Sequence, residues 1–158
     1  MNKFSVNQIG AIRIKDTGMF IELDKKYVPG LKELESFSHV NVIWWFDGCD
    51  NKEMRSVLET PKPYRNAPDI MGIFATRSPQ RPNPIAMTTV QILYLDRESG
   101  IIQIAYIDAD DNSPVLDLKP YTPSLDRIES PTVPEWCSHW PKCAEESGEF
   151  DWSKEFTF

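Results

Sequence analysis

The sequence predicts a mainly β protein built as a single-domain antiparallel β-barrel. Short runs of β-branched and aromatic residues dominate the chain and follow one another closely, separated by glycine, proline and aspartate. The chain lacks the helical stretches of roughly 10–15 residues that join parallel strands in α/β proteins. Its 158 residues suit one domain. The strands are therefore expected to close into a barrel instead of forming an α/β sheet.

The first half of the chain supplies three predicted strands. Residues 3–14 partly alternate and end in β-branched side chains, and residues 19–23 form a second short strand. Residues 31–37, rich in leucine and glutamate, indicate one or two helical turns. Residues 39–46 are continuously apolar and aromatic, which is the pattern of a strand buried on both faces.

The second half supplies the remaining strands. Residues 52–60 form a short helix or turn, which Pro61 and Pro63 end. Strands are then expected at four places, residues 70–76, 85–95, 101–107 and 113–121. The second and third of these pair as a hairpin, because residues 96–100 contain the turn sequence Glu-Ser-Gly.

An aromatic and acidic segment follows the predicted barrel. We place the barrel in residues 1–128 and a C-terminal arm in residues 129–158. Six aromatic side chains stand in this otherwise polar arm, namely Trp136, Trp140, Phe150, Trp152, Phe156 and Phe158. Exposed rings at this density promote aggregation, so the arm is expected to dock through them on its own barrel or on a second subunit.

Composition indicates a soluble cytoplasmic protein. Hydrophobic residues make up 41% and charged residues 26% of the chain, which is ordinary for a globular domain. The first residues lack the apolar stretch of a signal peptide, and the longest apolar run, near residue 43, is too short to cross a bilayer. Three cysteines without a secretory signal favour reduced thiols.

The charge balance disfavours nonspecific nucleic-acid binding. The net charge is −7, from 24 acidic and 17 basic residues, so the chain repels phosphate backbones at long range. From Lys52 to Arg81, however, the sequence contains six basic and three acidic residues. A specific, short-range contact with tRNA or another nucleic acid therefore stays open.

Standard catalytic and metal motifs are absent from the sequence. It contains no P-loop, no Rossmann glycine pattern and no nucleophile elbow. Cys137, His139 and Cys143, together with the distant Cys49, are candidate metal ligands. Their spacing matches no common zinc module, which favours idle or buried thiols and no metal.

Four polar residues on predicted strands have two interpretations each. His39 opens the aromatic strand and is either a structural residue or a base. Asp47 follows that strand and is either a turn residue or a ligand acceptor. Asp117 and Lys119 lie on one face of a strand, where they form an ion pair or contact a ligand.

A stiff segment, residues 72–86 with the sequence GIFATRSPQRPNPIA, is the strongest candidate for a binding element. We call it the arginine loop. Its three prolines fix φ and favour extended geometry in the residues before them. Arg77, Arg81 and Asn83 are thereby preorganised to hold an anionic or planar ligand. The alternative is an exposed connection whose arginines pair with surplus carboxylates.

Three carboxylates gather in a second predicted turn. Asp108, Asp110 and Asp111 lie within four residues of one another, but the calcium-binding pattern of an EF-hand is missing. These groups suit hydrogen bonds from hydroxyls or amines of a bound ligand. We call residues 108–111 the acidic turn.

Three ordered segments resemble one protein family, the TsaA-like or TrmO-like proteins. Residues 72–85 follow that family's signature nearly position by position. Residues 34–39 (LESFSH) with the aromatic strand, and residues 111–121 (DNSPVLDLKPY), resemble two further elements of the family. The start at Ile9-Gly10 is also similar, so the resemblance covers about residues 7–126.

The resemblance implies a dimeric all-β barrel that binds S-adenosylmethionine near the subunit interface. Such proteins methylate N6 of a threonylcarbamoyl-modified adenosine in tRNA. By motif, the expected cofactor-binding residues are Phe46, Asp47, Phe74, Thr76, Arg77, Ser78, Met87, Asp108, Asp110 and Asp111. The expected substrate-binding residues are Arg81, Asn83, Lys119 and Tyr121. Methyl transfer needs mainly in-line positioning, so no triad or metal is required, and no residue is assigned to remove the acceptor's proton.

Departures from the family pattern leave the methyl acceptor open. Asp47 stands where histidine is frequent, Gln80 where histidine or phenylalanine is frequent, and Ala86 replaces a glycine. From Ser130 the arm stands in place of the C-terminal domain that larger members carry. Three functions therefore fit the sequence: methylation of modified tRNA, methylation of a small molecule, and noncatalytic binding of S-adenosylmethionine.

Overall fold

The computed structural model describes residues 3–158 and closes most of its strands into a barrel. The strands of this part of the chain are β1 (Gly10–Lys15), β2 (Gly18–Leu23), β3 (His39–Trp45), β4 (Glu59–Pro61), β5 (Ile70–Gly72), β6 (Ile85–Asp96), β7 (Ile101–Ile104) and β8 (Pro114–Pro120). Six of them form a closed antiparallel barrel in the order β1-β2-β7-β6-β3-β8. Strands β4 and β5 pair separately as a two-stranded ribbon. The predicted fold class is confirmed.

Helical structure is short throughout. Two α-helices occur, α1 (Pro123–Asp126) and α2 (Ala144–Glu149). 3₁₀ helices occupy Lys25–Leu31 (seven residues) and, as single turns, Leu34–Ser36, Asp47–Cys49, Met54–Ser56, Ile73–Ala75, Glu135–Cys137 and Trp152–Lys154. Within residues 3–158, every helix is too short or too polar to serve as a membrane span.

Branched apolar side chains fill the barrel. Successive side chains of a strand point to opposite faces, so alternate residues of each strand enter the core. The most deeply buried are Ile12, Ile21, Val40, Val42, Ile102, Ile104 and Val115. Strand β3 is also covered on part of its outer face, where the Asn41 side chain is buried and its Nδ2 donates to Asp126 Oδ1 of α1 (2.9 Å). The prediction of a strand buried on both faces is therefore confirmed at Asn41, whereas Ile43 and Trp45 stay half-buried.

Several predicted bounds need correction. The first strand begins at Gly10 and not at residue 3, because exposed residues 3–8 lie outside the sheet. The predicted strand 70–76 stops at Gly72, since residues 73–75 turn as a 3₁₀ helix. The strand predicted at 101–107 stops at Ile104, where the chain leaves the sheet. The two intervals predicted as helical turns, 31–37 and 52–60, contain 3₁₀ turns, and the second also contains β4.

The predicted hairpin between β6 and β7 is confirmed. Its turn depends on Asp96, whose Oδ1 accepts hydrogen bonds from the backbone N–H groups of Glu98 (2.9 Å) and Ser99 (3.3 Å). Gly100 completes the turn with φ of 74°, a left-handed conformation that glycine adopts without a Cβ penalty.

The connection between β7 and β8 crosses one end of the barrel. These strands are not neighbours, so residues 105–113 must pass over the barrel to reach β8. Ile107 in this crossing is 1% exposed and joins the core from the end. The end of β3 and the start of β6 lie at the same end, because Trp45 pairs with Ile85 and Trp44 with Val115. The barrel thus brings the arginine loop, the end of the aromatic strand and the acidic turn to one end.

The C-terminal arm docks within its own chain. Its main chain meets the loop at the tip of the β4–β5 ribbon, where Arg65 N–H donates to Glu155 O (2.8 Å) and Thr157 N–H to Pro63 O (3.3 Å). Aromatic rings of the arm then pack around Tyr64 in the same loop. The arm therefore docks on the tip of the β4–β5 ribbon. A domain boundary between residues 128 and 129 stays a prediction.

Gly10 is required by close packing of β1 on β2. A Cβ at residue 10 would overlap the Glu22 carbonyl oxygen and lie 2.9 Å from Leu23 Cα, and backbone atoms cannot yield. Gly10→Ala is therefore expected to lower the free energy of unfolding by about 1–3 kcal/mol in urea titrations. Gly72→Ala is the matched control: its φ is −64° and the space around it is open, so its effect should stay within about 0.5 kcal/mol. Equal effects of the two variants would contradict this packing argument.

Candidate functional site

The arginine loop is held in shape by its own hydroxyl groups. Thr76 Oγ1 donates to Ile73 O (2.9 Å) and accepts from Ser78 N–H (3.2 Å). Ser78 Oγ in turn accepts from Gln80 N–H (3.3 Å). Such side-chain bonds replace the ladder of a strand, which explains why β5 ends at Gly72. With its three prolines, the loop is preorganised before any ligand binds.

Arg81 braces the loop from within. Its Nη2 donates hydrogen bonds to Ile73 O and to Thr76 O, both at 3.0 Å, and its side chain is partly buried. The guanidinium thereby satisfies two carbonyl groups that the turn leaves without strand partners. The predicted contact of Arg81 with a substrate stays a prediction, beside this structural role.

Arg77 is the exposed arginine of the loop. Its Nη1 lies 3.4 Å from Met87 O, which sets the guanidinium beside β6. Within residues 3–158, neither Arg77 nor Arg81 forms an ion pair with a carboxylate. The alternative of a connection whose arginines pair with surplus carboxylates is therefore wrong for these residues.

The end of the aromatic strand contacts the arginine loop directly. Phe46 N–H donates to Pro84 O (2.8 Å), and the Phe46 ring packs on Trp44 with centroids 4.4 Å apart. Asp47 begins the 3₁₀ turn that follows and is exposed. Phe74, at 79% exposed, lines an open pocket of about 280 Å³ with Arg81, Pro82 and Asn83. The structure thus brings the predicted residues of these two segments together.

The acidic turn lies at the same barrel end, and its carboxylates differ in their surroundings. Asp108 and Asp110 are exposed. Asp111 Oδ1 accepts a hydrogen bond from Ile14 N–H (2.9 Å), which ties the turn to β1. Asn112 follows with φ of 69°, a left-handed conformation that asparagine tolerates. Asp108 and Asp110 are therefore the carboxylates whose oxygens are open to a ligand.

Lys119 and Tyr121 lie at the opposite end of β8. Tyr121 N–H donates to His39 O (3.1 Å), and six residue steps of β3 separate His39 from Trp45, a distance of about 20 Å. Lys119 forms the predicted ion pair with Asp117 (2.7 Å), and its hydrogen bond to that carboxylate raises the pKa of Lys119. Within one chain, these two substrate-binding candidates do not meet Arg81 and Asn83.

A second group of residues fixes Asn83, and sequence reasoning missed it. Arg55 Nη2 lies 3.4 Å from Asn83 Oδ1, while its Nη1 donates to Asp50 Oδ1 (2.8 Å). The hydrogen bond from Arg55 lowers the pKa of the Asp50 carboxyl below its ordinary value. Trp45 Nε1 donates to the other oxygen of Asp50 (3.3 Å). Arg55 is 28 residues from Asn83 and belongs to no motif. The signal for it in the sequence was its membership of the six basic residues between Lys52 and Arg81.

The cysteines are free thiols in different surroundings. Cys137 is buried, Cys49 is half-buried and Cys143 is exposed. In the part of the chain that the structure describes, residues 3–158, no group of three or more His, Cys, Asp or Glu side chains is arranged to hold a metal ion.

These features define a closed antiparallel barrel that gathers at one end an exposed aromatic ring, exposed carboxylates and an arginine, Arg77, that forms no ion pair within residues 3–158. The family model of the tRNA-methyltransferase O N-terminal domain matches residues 7–127. The chain therefore belongs to this family, as the resemblance in its sequence predicts.

Curated relatives include archaeal and bacterial proteins. An S-adenosyl-L-methionine-binding protein of Archaeoglobus fulgidus is 35% identical over 73% of this chain and 78% of its own length. A probable S-adenosyl-L-methionine-binding protein of Methanocaldococcus jannaschii is 34% identical over 78% of this chain and 96% of its own length. The tRNA (adenine(37)-N6)-methyltransferase of Escherichia coli is 32% identical over 81% of this chain and 62% of its own length.

Solved structures agree in fold. TrmO from Pseudomonas aeruginosa superposes with a TM-score of 0.65 at 25% identity, covering 85% of this chain and 62% of the TrmO chain. A second TrmO structure gives a TM-score of 0.64 at 28% identity, covering 84% and 64%. The chain thus spans less than two thirds of these TrmO chains.

Removing the brace at Arg81 should loosen the arginine loop. Arg81→Ala leaves the carbonyl groups of Ile73 and Thr76 without the guanidinium, which is expected to cost about 1.5–3 kcal/mol locally. Amide hydrogen exchange should accelerate at residues 76–80 and stay unchanged in β7. Arg81→Lys is the conservative comparison and should recover part of the protection, because an ammonium reaches the same carbonyls without the planar fork. Unchanged exchange in Arg81→Ala would contradict the bracing role.

Proposed function

We propose that this protein is a methyltransferase that uses S-adenosylmethionine and acts on N6 of an adenine in tRNA. The observation that carries the proposal is the barrel end itself, which gathers the arginine loop with the exposed Phe74 and Arg77, the latter without a carboxylate partner among residues 3–158, and the exposed carboxylates of the acidic turn. A threonylcarbamoyl-modified adenosine is the acceptor that we propose within this class. The names of the archaeal and bacterial relatives support both the cofactor and the tRNA.

The residues present suit this cofactor chemically. S-adenosylmethionine carries a carboxylate, which matches the Arg77 guanidinium, and ribose hydroxyls, which match Asp108 and Asp110 as acceptors. Its positive sulfonium is tolerated by an aromatic face such as Phe74 or Phe46. The cofactor supplies an already activated methyl group, so the side chains of the site need only bind, orient and exclude water.

The remaining candidates have supporting parts in this proposal. Thr76 and Ser78 hold the shape of the arginine loop through their hydroxyls, and Met87 offers its carbonyl to Arg77. Asp47 lies exposed at the end of β3, next to the loop. We assign these residues to the cofactor side of the site and Asn83 to the acceptor side.

A homodimer belongs to the proposal. The outer face of β6 exposes Ile85 (40%) and Met87 (51%) beside Arg77, and apolar surface of this kind is often covered in an assembly. Tyr121 lies about 20 Å, and Lys119 about 14 Å, from the end of β3 that contacts the arginine loop of their own chain. They can contact the same modified adenosine as Asn83 only if a second subunit presents them.

A small-molecule acceptor is the second candidate, and the charge of the arm favours it. Residues 129–158 contain seven acidic and two basic residues, which is a net charge of −5 out of −7 for the chain. The arm docks on residues 62–65, so it brings this net negative charge to a segment that contains Lys62 and Arg65, with Glu155 next to Arg65. This arrangement interrupts the basic surface that a tRNA backbone would contact.

The experiment that separates these functions is transfer of labelled methyl from S-adenosylmethionine to total tRNA or to a small-metabolite extract. Label in tRNA, located by nuclease digestion to an N6-methylated adenosine, supports the first function. Label in the metabolite fraction alone supports the second. Cofactor binding without transfer to either fraction indicates a noncatalytic binding module, and absence of cofactor binding overturns the proposal.

Arg77→Ala should weaken cofactor binding by about 1.5–3 kcal/mol, because it removes a charged hydrogen bond to the carboxylate. Isothermal titration calorimetry measures the change as roughly a 10- to 150-fold rise in Kd. Arg97→Ala is the matched control, since Arg97 pairs with Glu35 at the opposite barrel end and should leave the Kd unchanged. An unchanged Kd in Arg77→Ala would remove that residue from the site.

A further inference from the structure

Arg55 is held in a fixed direction by the turn that follows the aromatic strand. Asn51 Oδ1 accepts a hydrogen bond from Met54 N–H (2.9 Å), and Asn51 O accepts one from Arg55 N–H (2.9 Å), which closes the turn. The Arg55 Cζ then lies 5.9 Å from the centre of the Trp45 ring, a cation–π distance. Nη1 pairs with Asp50 Oδ1 (2.8 Å), while Asp50 Oδ2 accepts from Trp45 Nε1 (3.3 Å). Backbone, ring and carboxylate together fix where this guanidinium presents its other donors.

One of those donors determines how the Asn83 amide is oriented. Arg55 Nη2 lies 3.4 Å from Asn83 Oδ1. A guanidinium carries donors only, so the end of the amide that faces it must be the carbonyl oxygen. The Nδ2 amino group then lies at the far end of the amide, and no hydrogen bond among residues 3–158 uses it as a donor. The pair with Arg55 therefore leaves Asn83 with a free donor and a satisfied oxygen.

Asn83 also lines the open pocket of about 280 Å³ at this barrel end, together with Phe74, Arg81 and Pro82. Arg55 is not one of the lining residues, so the two ends of the amide have different surroundings. Arg81 directs its Nη2 to two carbonyl groups of its own loop, whereas Phe74 is 79% exposed and offers its ring to the pocket. The pocket thus combines a flat apolar surface with the amino group of an amide.

A planar ring with a hydrogen-bond acceptor on its edge is the ligand that suits this combination. Nucleobases have both properties, and the unstacked bases of RNA loops are bound by aromatic rings and by hydrogen bonds to their edges. In adenine, the ring nitrogen N7 accepts hydrogen bonds and lies beside N6. An amide that turned both of its ends to adenine would also accept a hydrogen bond from N6. With its oxygen held by Arg55, the amide leaves N6 free to receive a methyl group.

We propose that the pocket beside Phe74 receives the adenine base of the methyl acceptor, and that Asn83, oriented by Arg55, donates to a ring nitrogen of this base. Asn83 contacts the substrate, and Arg55 is a positioning residue that acts through it. This use of Phe74 leaves the sulfonium of the cofactor to Phe46. The inference rests on the proposed function for the identity of the base, but not for the orientation of the amide.

NMR relaxation of the Asn83 side-chain nitrogen tests the orientation without any ligand. The Asn83→Asp variant lacks this NH₂ signal and so identifies it in the spectrum. The signal should show a high order parameter in the wild-type protein and a lower one in Arg55→Ala, because the amide loses its partner. Arg97→Ala is the matched control, since Arg97 pairs with Glu35, and should leave the order parameter unchanged. Equal order parameters in Arg55→Ala and the wild type would overturn the orienting role.

Methyl transfer to total tRNA tests the contact with the base. Asn83→Ala should lower kcat/KM for tRNA about 3- to 10-fold, the loss of one hydrogen bond, and leave the Kd of S-adenosylmethionine within about twofold of the wild type. Asn83→Asp keeps the shape of the side chain and an oxygen for Arg55, but it has no hydrogen to donate. Its kcat/KM should therefore be no higher than that of Asn83→Ala. Wild-type kcat/KM in either variant would overturn the proposed contact.

A double-mutant cycle shows whether Arg55 acts through Asn83. Arg55→Ala gives the amide access to three side-chain rotamers and two amide orientations, so kcat/KM for tRNA should fall about 2- to 6-fold. The double variant should stay within about twofold of Asn83→Ala, because the amide that Arg55 orients is then absent. Fully additive losses would show that Arg55 contacts tRNA itself and would overturn its positioning role. Should the wild-type protein transfer no methyl to tRNA, the proposed function falls, and the relaxation measurement still decides the orientation of the amide.

Discussion

The pairing of β3 on both of its edges is the constraint on which the candidate site depends. Strand β3 is hydrogen-bonded to β6 along one edge and to β8 along the other. Its two neighbours carry the arginine loop and the acidic turn at their starts, because both run antiparallel to β3. A single strand therefore aligns three separate segments at one barrel end.

The same pairing separates residues that a motif places side by side. The segment DNSPVLDLKPY reads as one element in the sequence, yet its two ends lie at opposite barrel ends because it forms the extended strand β8. Its acidic start lies at the barrel end of the arginine loop, while Lys119 pairs with Asn41 and Tyr121 N–H donates to His39 O at the other end. The barrel thus places polar residues of this one motif at both of its ends.

Sequence patterns predicted the features that arise from local chemistry. Strands β2, β3, β6 and β8 follow from β-branched and aromatic runs, and the hairpin at residues 96–100 from its turn residues. The arginine loop was identified, but the bracing role of Arg81 was not, because its guanidinium contacts Ile73 O and Thr76 O, which come within its reach only once residues 73–75 turn. Contacts such as Arg55 with Asn83, or Tyr64 with Trp136, join distant residues and follow from tertiary packing alone.

The closure of the barrel has a consequence for how the protein folds. Strand β1 meets β8 through two residue pairs, Gly10 with Val115 and Ala11 with Pro114, which are about 100 residues apart in the chain. A contact of such long sequence separation incurs a large loop-closure entropy and forms late. A nascent chain that has not yet emerged beyond Val115 can build the β6–β7 hairpin but cannot assemble the barrel end. The site therefore forms only after the whole barrel has been synthesised and β1 has paired with β8.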